Sequence, residues 1–466
     1  MTAYECAEIR DVRVEGNSAV FYISPLHGKR MMTLEITVPR PDILGVKLSR
    51  YKDTMPQMPP FTLLPLDFEE TAAAYTVRAG KMVAVLQKKR FSISFTYDGK
   101  PLASEVDELS YGREPFYLSN KGYGMLVSHT EEEHNFFIIG GGSPKAAVAN
   151  YRALSGSLPL PQDWSFGLWL TVFLCAEYDE GEANRLAEGL SGVPLSAVQY
   201  ERIWSKKELP VHWLDTRQGT FAGMAEILRE GLSHSAGGTG FWGHDIGGAD
   251  TTPDVYKRWI AFGAFSTHAR LRSDRSNRVP WEEDKETIKV LRHFAKTKNA
   301  LLPYLFGQAV KATQTGIPVM RPMVMEYPED SLCHKLELQY MLGGGLLAAP
   351  VFFEDGHCDV YLPDGMFTNF FTGEVIAGGR LVRGVYNYMT VPVFIPENTL
   401  LPLSRNPDCD FHENVTIHAY QLTEQTVELY DKSGTLRATV TGRAHGEEVT
   451  FQVDGDAPGL MFEVRR

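Results

Sequence analysis

The first third of the chain carries the hydrophobic pattern of β-strands. Apolar and polar side chains alternate along MTLEITV, residues 32–38, which predicts a strand with one face buried. Other short apolar runs, separated by Gly, Asp and Asn, are AVFYIS, MVAVLQ, FSISFTY, MLVSH and FFIIGG. No helical period longer than two turns precedes Pro144. The pattern therefore predicts an antiparallel β-sandwich over residues 1–160.

The pattern changes at Trp164. The continuous apolar run FGLWLTVFL, residues 166–174, is typical of a parallel strand that is buried on both faces. The segment EGEANRLAEGLSG, residues 180–192, has the spacing of an amphipathic helix, and PLSAVQYERIW, residues 194–204, reads as a second strand. Together they predict one βαβ unit with a right-handed crossover.

A second α/β portion follows Pro210. Its helical segments are a stripe formed by Met224, Ile227, Leu228 and Leu232, the segment PDVYKRWIAFGAF, and a long stretch that begins after Pro280 and ends at about Gly316. A strand and loop, GTGFWGHDIGG, lies between the first two helices. Parallel strands that alternate with helices predict a barrel or a doubly wound sheet, here over residues 161–338.

From about Tyr340 the strand pattern returns. The runs LLAAPVFF, CDVYLP, YMTVPVFI, QTVELY and EVTFQV are separated by turns rich in Pro, Gly and Asp. We predict a proximal β domain at 339–404 and a distal β segment at 405–466. The fold class is multidomain α/β and β, in the order β, α/β, β.

Composition and charge limit the classes of binding partner that the chain is expected to have. The chain has 466 residues with 46 Lys and Arg against 58 Asp and Glu, a formal net charge of −12, and no block of basic residues. This charge disfavours nucleic acid and anionic membranes as partners. No run approaches the ~18 apolar residues of a membrane span, and the N-terminal residues lack a signal-peptide pattern. We expect a cytoplasmic protein, with a homo-oligomer left open.

The cysteines predict neither a metal site nor a redox pair. They are scattered and odd in number, so buried free thiols are the expectation: Cys6, Cys175, Cys333, Cys358 and Cys409. The glycine clusters GGGSPKAA, residues 140–147, and Gly343–Gly345 lack phosphate-loop spacing and are predicted to be turns.

Two short segments carry candidate chemistry. His244 and Asp245 follow the apolar pair FW, so they can reach the strand end where a barrel gathers reactive groups, or they can form a buried pair that holds a loop. As metal ligands they lack a third residue at useful spacing. Trp213 and Asp215 offer an aromatic face beside a carboxylate, which suits a sugar ring; the alternative is an interior Trp and a surface Asp.

Several segments together resemble glycoside hydrolase family 31, most closely its α-xylosidase branch. They are PVHW, MAEILREGLS, GFWGHDIGGAD, VYKRWIAFGAFS, NRVPWEED, LLPYL and GIPVMRPMVMEYPED, with FYLSNKGYGMLVSH and WSFGLWL further upstream. The resemblance implies an N-terminal β-sandwich, a (β/α)8 barrel and C-terminal β domains. It also implies retaining cleavage of terminal α-glycosidic bonds by two carboxylates, without cofactor or metal. The expected partner is a small oligosaccharide or an α-xyloside or α-glucoside.

One part of the family pattern is absent. Relatives carry the nucleophile in a K-x-D-F-G-E-like strand before PVHW, but here YERIWSKK, residues 200–207, is followed almost at once by LPVHW. About four barrel strands can be identified, and residues 164–340 fall short of the roughly 200–250 residues of a closed barrel. We expect an internal deletion that removes the middle strands, the nucleophile and a sugar-binding arginine, and leaves an incomplete (β/α)8 barrel.

The retained segments also depart from the family. The proton donor of relatives corresponds to Thr216, so Asp215, one residue earlier, is a candidate acid/base only if the loop rearranges. An aromatic residue of relatives is replaced by Ala249. Relatives of this branch have Asp and Cys at the positions of Glu201 and Arg202. The residues assigned to substrate binding are Trp213, Phe241, Trp242, His244, Asp245 and Arg272, the last in place of a histidine.

Three hypotheses follow. The chain is a family-31 α-glycosidase, α-xylosidase-like, that has lost hydrolysis with its nucleophile. Alternatively, it is a non-catalytic carbohydrate-binding or structural protein that uses the retained aromatics. In the third hypothesis the barrel does not close, and its strand edges stay exposed.

Overall fold

A computed structural model describes residues 7–25, 32–50, 63–102, 111–129, 133–174, 193–194, 197–202, 209–215, 218–247, 251–273, 284–406, 411–446 and 448–465. The chain forms two compact units, residues 1–157 with 236–238, and residues 158–235 with 239–466. The segment EGEANRLAEGLSG, Thr216, Ala249 and three of the five cysteines lie outside the described residues. Of the other two, Cys333 is a buried free thiol and Cys358 a half-buried one.

The first unit contains two antiparallel sheets, which confirms the predicted β-sandwich. The larger sheet has the order β1-β2-β3-β4-β13-β12-β11-β10 and the smaller one β5-β6-β7-β8-β9. The strands are β1 Ala7–Glu15, β2 Ser18–Pro25, β3 Met32–Arg40, β4 Ile43–Arg50, β5 Asp67–Glu70, β6 Ala74–Ala79, β7 Met82–Gln87, β8 Ile93–Tyr97, β9 Lys100–Leu102, β10 Tyr111–Arg113, β11 Phe116–Leu118, β12 Tyr123–His129 and β13 Glu133–Gly140.

The core of the first unit joins the two sheets. Phe21 and Ile36 from the larger sheet and Val77 and Met82 from the smaller one belong to a single buried cluster. Strand β3 departs from the expectation of one buried face, because Thr33 and Thr37 on its polar side are also buried, at 1% and 0% exposure. The alternation located the strand correctly but not the cover on its second face.

Helix α1, Pro144–Ser155, begins where the sequence predicted a turn. The Ser143 side chain accepts from the Ala146 amide, and Pro144 occupies the first turn, where its missing N–H costs nothing. Gly142 has φ +73°, a left-handed conformation that favours glycine. The glycine cluster is therefore a turn that leads into a capped helix.

Within the described residues, the second unit is built around a sheet of five parallel strands. They are β14 Leu168–Leu174, β15 Ala197–Arg202, β16 His212–Leu214, β17 Trp242–Ile246 and β18 His268–Ser273. Their spatial order is β15-β14-β18-β17-β16, and every neighbouring pair is parallel. The sequence predicts four of these strands and does not predict the fifth, β18.

Helices follow the last three strands. They are α2 Phe221–Ala236, α3 Pro253–Ala264 and α4 Lys285–Thr315. The predicted apolar stripe of α2 is buried, with Met224 and Leu228 at 0% exposure. Asp284 caps the start of α4 by accepting from the Thr287 amide at 2.6 Å, and Gly316, at φ +75°, ends it. The long helix therefore has the limits that the sequence predicted.

The C-terminal part is β-rich, as predicted, with a short helix α5 Met323–Glu326. A six-stranded sheet has the order β19-β20-β21-β26-β23-β24, and β22 pairs with β25. Two three-stranded sheets follow, β27-β28-β32 and β29-β30-β31. The strands are β19 Met320–Pro322, β20 Tyr340–Leu342, β21 Leu346–Ala348, β22 His357–Leu362, β23 Met366–Asn369, β24 Val375–Ala377, β25 Arg380–Val385, β26 Val393–Pro396, β27 Thr399–Ser404, β28 Val415–Tyr420, β29 Glu424–Tyr430, β30 Leu436–His445, β31 Glu448–Gly455 and β32 Met461–Arg465.

The division of the second unit into a barrel and two β parts stays a prediction. Strand β27 pairs with β28 across the predicted boundary at 404/405. The second glycine cluster, Gly343–Gly345, is the turn between β20 and β21. No helix in the described ranges combines the length and the apolar character that crossing a bilayer requires.

Candidate functional site

One face of the parallel sheet gathers the chemically functional side chains. Arg270 is in register with Trp169 on one neighbouring strand and with Asp245 on the other, so the three side chains lie level on the same face. Trp213 is in register with Gly243, and a Cβ at that glycine would lie 2.9 Å from the Trp213 ring. The absence of a side chain at Gly243 lets the indole lie across the strand.

Arg270 is the centre of this cluster. Its Nε donates to Asp245 Oδ1 at 2.5 Å, and its guanidinium carbon lies 4.4 Å from the centre of the Trp213 ring and 5.5 Å from that of Trp169. The two indoles meet edge to face at 5.7 Å. The side chains of Arg270 and Asp245 are only 12% and 10% exposed, so the charges attract with little screening. We call these four residues the Arg270 cluster.

Asp215 lies beside the cluster. It directly follows β16, whose last residue, Leu214, is in register with His244. Continuing this register by one residue puts Asp215 level with Asp245, the penultimate residue of β17, on the same face. Asp215 is exposed and makes no hydrogen bond or ion pair with the described residues. Of these two neighbouring carboxylates, Asp245 is held by Arg270 and Asp215 faces solvent.

His244 belongs to the other face of the sheet. It is fully buried and stacks on Phe262 of α3 at 4.4 Å. Its Nδ1 accepts from the Trp259 indole at 3.1 Å, and its Nε2–H donates to Ser266 Oγ at 3.0 Å, since that hydroxyl donates to a carbonyl. Burial lowers the pKa of His244 to about 3, with Lys298 as a further cause, so the ring stays neutral.

The two other predicted aromatic residues are packed inside the unit. Trp242 is fully buried, and its Nε1 donates to Ser235 Oγ of α2 at 3.0 Å. Phe241 is 3% exposed and meets Phe166 edge to face at 6.1 Å. The structure therefore brings Trp213, Asp215 and Asp245 together and places Phe241, Trp242 and His244 among packing contacts. Their roles toward a sugar stay predictions.

Arg272 lies on the same strand as Arg270. It is two residues further along β18 and in register with Thr171. Its side chain lies outside the described residues, and the same holds for the side chains of Glu201 and Arg202 on β15. Within the described ranges, no group of three His, Cys, Asp or Glu side chains could hold a metal ion.

Sequence reasoning missed two members of the cluster. Arg270 precedes Arg272 by two residues, and the period of a strand places both on one face, which was a usable signal. Trp169 lies in an apolar run that predicts a buried strand and no more. Its contact with Arg270 depends on the pairing of β14 with β18, which are nearly one hundred residues apart and carry no local signal of partnership.

Family models and similar proteins both point to the same family of glycosyl hydrolases. Residues 201–308 match the glycosyl hydrolases family 31 TIM-barrel domain, and residues 316–401 match the glycosyl hydrolase family 31 C-terminal domain. The α-xylosidase XylQ of Lactiplantibacillus pentosus is 34% identical over 557 residues, with 76% of this chain and 73% of that protein covered. An α-xylosidase of Emericella nidulans is 39% identical over 208 residues, 42% of this chain. The chain's match covers only 27% of that protein's length.

Solved structures agree in fold. The cycloalternan-forming enzyme of Listeria monocytogenes, in complex with a pentasaccharide substrate, superposes with a TM-score of 0.82 at 16% identity and covers 99% of this chain and 72% of its own. A GH31 dextranase of Flavobacterium johnsoniae complexed with glucose gives 0.81 at 15% identity, with 99% and 92% covered. At these identities the likeness establishes the fold alone.

Proposed function

Because the chain belongs to glycosyl hydrolase family 31, we propose that its site accepts terminal α-linked xylose or glucose residues and that this chain does not hydrolyse them. The observation that carries the proposal is the state of the two neighbouring carboxylates. Asp215 is exposed at the end of β16, and Asp245 beside it is bound by Arg270 at 2.5 Å.

Retaining hydrolysis needs two carboxylates on opposite sides of the scissile bond, about 5–5.5 Å apart. Asp215 and Asp245 lie at the same level of adjacent strands, which are about 4.8 Å apart, so they stand side by side rather than across a pocket. Asp245 also has its charge matched by Arg270. Neither arrangement provides a nucleophile facing a proton donor.

The topology of the parallel sheet supports the loss of an internal segment. Among the described residues, β15 and β16 follow each other along the chain but occupy opposite edges of the sheet. β14 and β18 are the first and last of these strands along the chain, and they pair with each other, as the first and last strands of a closed barrel do. The alignment with XylQ extends over 557 residues although this chain has 466, which favours extra residues in the relative.

Turnover by the purified protein tests the proposal. We expect no measurable release from an aryl α-xyloside or an aryl α-glucoside, and no difference between the wild type and Asp215→Asn. A Glu374→Gln variant, at an exposed position, serves as the matched control. Clear turnover that is lost in Asp215→Asn but kept in Glu374→Gln would show that the loss-of-function argument is wrong.

A second candidate function is carbohydrate binding without chemistry. It is favoured by the Arg270 cluster, which presents the partly exposed Trp213 beside charged groups in a chain without the K-x-D-F-G-E-like motif. Calorimetry with xylose or xyloglucan fragments should give saturable heat that Trp213→Ala removes. If the wild type gives no heat, the binding function is excluded.

A further inference from the structure

The β-rich C-terminal part contains a small two-stranded sheet, formed by β22 and β25. It lies within residues 284–406, which the structure describes without a gap. The two strands pair antiparallel and without a bulge. One face of this sheet is buried, with Val360 and Leu362 at 0% exposure and Val382 packed against the same cluster. The sheet is therefore anchored to the core by one face, and a partner can meet only its other face and its edges.

A side chain closes the β22 edge of this sheet. Gln339 Nε2 donates to the Tyr361 carbonyl at 2.8 Å, and the Tyr361 amide donates to Gln339 Oε1 at 2.9 Å. The glutamine thus takes the hydrogen bonds that a neighbouring strand would make with Tyr361. Because both backbone groups of Tyr361 point away from β25, its opposite residue, Leu381, belongs to a pair without mutual hydrogen bonds.

The edge of β25 has no such cover. Pairs with and without mutual hydrogen bonds alternate along an antiparallel ladder, so the N–H and C=O groups of Leu381, Arg383 and Val385 all point away from β22. The Tyr386 amide follows the same alternation, since it donates back to the Gly356 carbonyl at 2.9 Å. None of the six outward groups has a hydrogen-bond partner among the described residues. We call residues 381–385 the β25 edge.

The side chains along the β25 edge are exposed as well. Leu381 and Val385 are 46% and 76% exposed, and Val385 is the most exposed large apolar residue of the described chain. Arg383 lies between them on the same face and is 73% exposed. Natural edge strands are usually protected by several charges, a bulge or a proline. The β25 edge instead presents two apolar side chains with one arginine between them.

Arg383 keeps part of its positive charge available to a partner. Asp359, opposite it on β22, lies 3.5 Å from its Nε and is also contacted by His357 at 2.9 Å. Since Asp359 is 36% exposed and shared, its attraction for Arg383 is weak. Arg380, exposed at the start of β25, adds a second positive charge. A partner strand is therefore favoured when it places a carboxylate opposite Arg383, and disfavoured when it places a cation there.

A second copy of this chain fits the β25 edge less well. The antiparallel register that matches Leu381 of one copy with Val385 of the other also places the two Arg383 side chains opposite each other. Like charges directly opposite each other destabilise a sheet. A strand with an acidic residue in place of that arginine removes the conflict and keeps both apolar contacts.

We propose that the β25 edge binds an extended segment of another protein, in which an acidic residue stands between two apolar residues at alternate positions. The segment adds an antiparallel strand beside β25, with its carboxylate next to Arg383 and its apolar side chains on Leu381 and Val385. Backbone hydrogen bonds supply the affinity, and the three side chains select the sequence. This interaction is independent of whether the chain cleaves or binds sugars.

The probe is the blocked peptide Thr-Leu-Thr-Glu-Thr-Val-Thr, compared with the same peptide carrying Lys in place of Glu. Fluorescence anisotropy of each labelled peptide with the full chain measures the two affinities. We expect the Glu peptide to saturate with a Kd below ~1 mM and the Lys peptide to bind at least tenfold more weakly. Amide exchange at Leu381, Arg383 and Val385 should slow in the complex. No saturation by the Glu peptide, equal affinities, or slowed exchange only elsewhere in the chain would overturn the proposal.

Variants of the β25 edge test the selection directly. Arg383→Glu should reverse the preference, so that the Lys peptide binds at least tenfold more tightly than the Glu peptide. Arg443→Glu is the matched control, because Arg443 is also an exposed arginine paired across a ladder with a carboxylate, that of Glu424, and it should keep the wild-type preference. An unchanged preference in Arg383→Glu would refute the proposed contact.

A proline tests the backbone contribution. Val385→Pro removes an outward N–H that the two-stranded sheet does not use, so the fold should persist while binding of the Glu peptide weakens at least tenfold. Thermal melting identifies a Val385→Pro protein that has not folded, and in that case the preference of Arg383→Glu decides. A dimer of this chain that Val385→Pro dissociates would assign the β25 edge to a second copy and overturn the proposal.

Discussion

The guanidinium carbon of Arg270 lies 4.4 Å from the centre of the Trp213 ring, on the face of the parallel sheet opposite to the one that carries His244. The same guanidinium binds Asp245, so one arginine links β16, β17 and β18 through side chains as well as through the backbone. A planar group that stacks and forms an ion pair at the same time is a property of arginine that lysine lacks.

We predict that Arg270→Met lowers the free energy of unfolding by about 3 kcal/mol, because it removes the guanidinium that pairs with the largely buried Asp245 carboxylate. Arg383→Met is the control, since Arg383 is 73% exposed and lies 3.5 Å from Asp359, a surface pair worth less than about 1 kcal/mol. Urea unfolding of both variants makes the comparison. Equal losses would mean that the Arg270 cluster does not stabilise the sheet.

We predict that His244 stays neutral, with its proton on Nε2, from pH 8 down to about pH 4. Its pKa is lowered to about 3 mainly by burial, and Trp259 and Ser266 hold this tautomer. Nitrogen-15 NMR of histidine-labelled protein measures both properties. The urea-unfolded protein is the reference, in which histidines titrate near 6.5.

The same pKa shift predicts weaker stability in acid. Between about pH 6.5 and pH 3 the His244 ring is protonated in the unfolded chain and neutral in the folded chain. The free energy of unfolding therefore falls as the pH falls through this window. His268, also fully buried, has a pKa far below its usual range and adds to the effect. A ring that titrates near 6.5 in the folded protein would contradict both expectations.

The order of domains could be predicted because it depends on local periodicity. The two-residue period of the first third, the helical stripe of α2 and the limits of α4 are each written within a few consecutive residues, and the structure agrees with them. The sequence treats His244 and Asp245 as a pair, but neighbouring residues of a strand face opposite sides of the sheet, so the two side chains have different surroundings. Sequence alone does not say which side is covered by helices.

Contacts between distant segments could not be predicted. The Arg270 cluster needs β14, β16, β17 and β18 side by side, and no local pattern states that β18 pairs with β14. Buried Thr33 and Thr37 show the same limit, because a polar side chain signals exposure only when nothing packs over it. The missing motif drew attention to the segment between β15 and β16, whereas the place of these two strands at the edges of the described sheet required the structure.

We predict that Gly231→Ala destabilises the protein by about 1–3 kcal/mol, although the same change in an exposed helix is stabilising by up to about 1 kcal/mol. A Cβ at Gly231 of α2 would overlap the indole of Trp242, which is fully buried and cannot move away. Gly307 of α4 is the matched control, since a Cβ there meets its nearest atom, a carbonyl oxygen, at an ordinary 3.5 Å. Thermal and urea unfolding of Gly231→Ala and Gly307→Ala make the comparison. The free energy of unfolding should be lower for Gly231→Ala than for Gly307→Ala by about 1 kcal/mol or more.

The last prediction concerns Lys298 of α4, which is fully buried and donates to the carbonyls of Gly263 at 2.8 Å and Ser266 at 2.5 Å. Burial lowers its pKa to about 7 from 10.5. Between these values the unfolded chain holds a proton that the folded chain has released, so this lysine makes the free energy of unfolding rise with pH. Lys298→Met removes the rise and both hydrogen bonds, and its cost should therefore grow from pH 7 to pH 9.

Urea unfolding of wild type and Lys298→Met at pH 7, 8 and 9 measures this difference, with Lys296→Met, at an exposed position of the same helix, as the control. Tyrosines and cysteines with raised pKa values titrate alike in all three proteins, so only the difference between the curves reports Lys298. A neutral amine has two N–H groups, which matches the two carbonyls it meets. Parallel pH profiles for wild type and Lys298→Met would mean that the lysine stays charged in the core, held by these carbonyls alone.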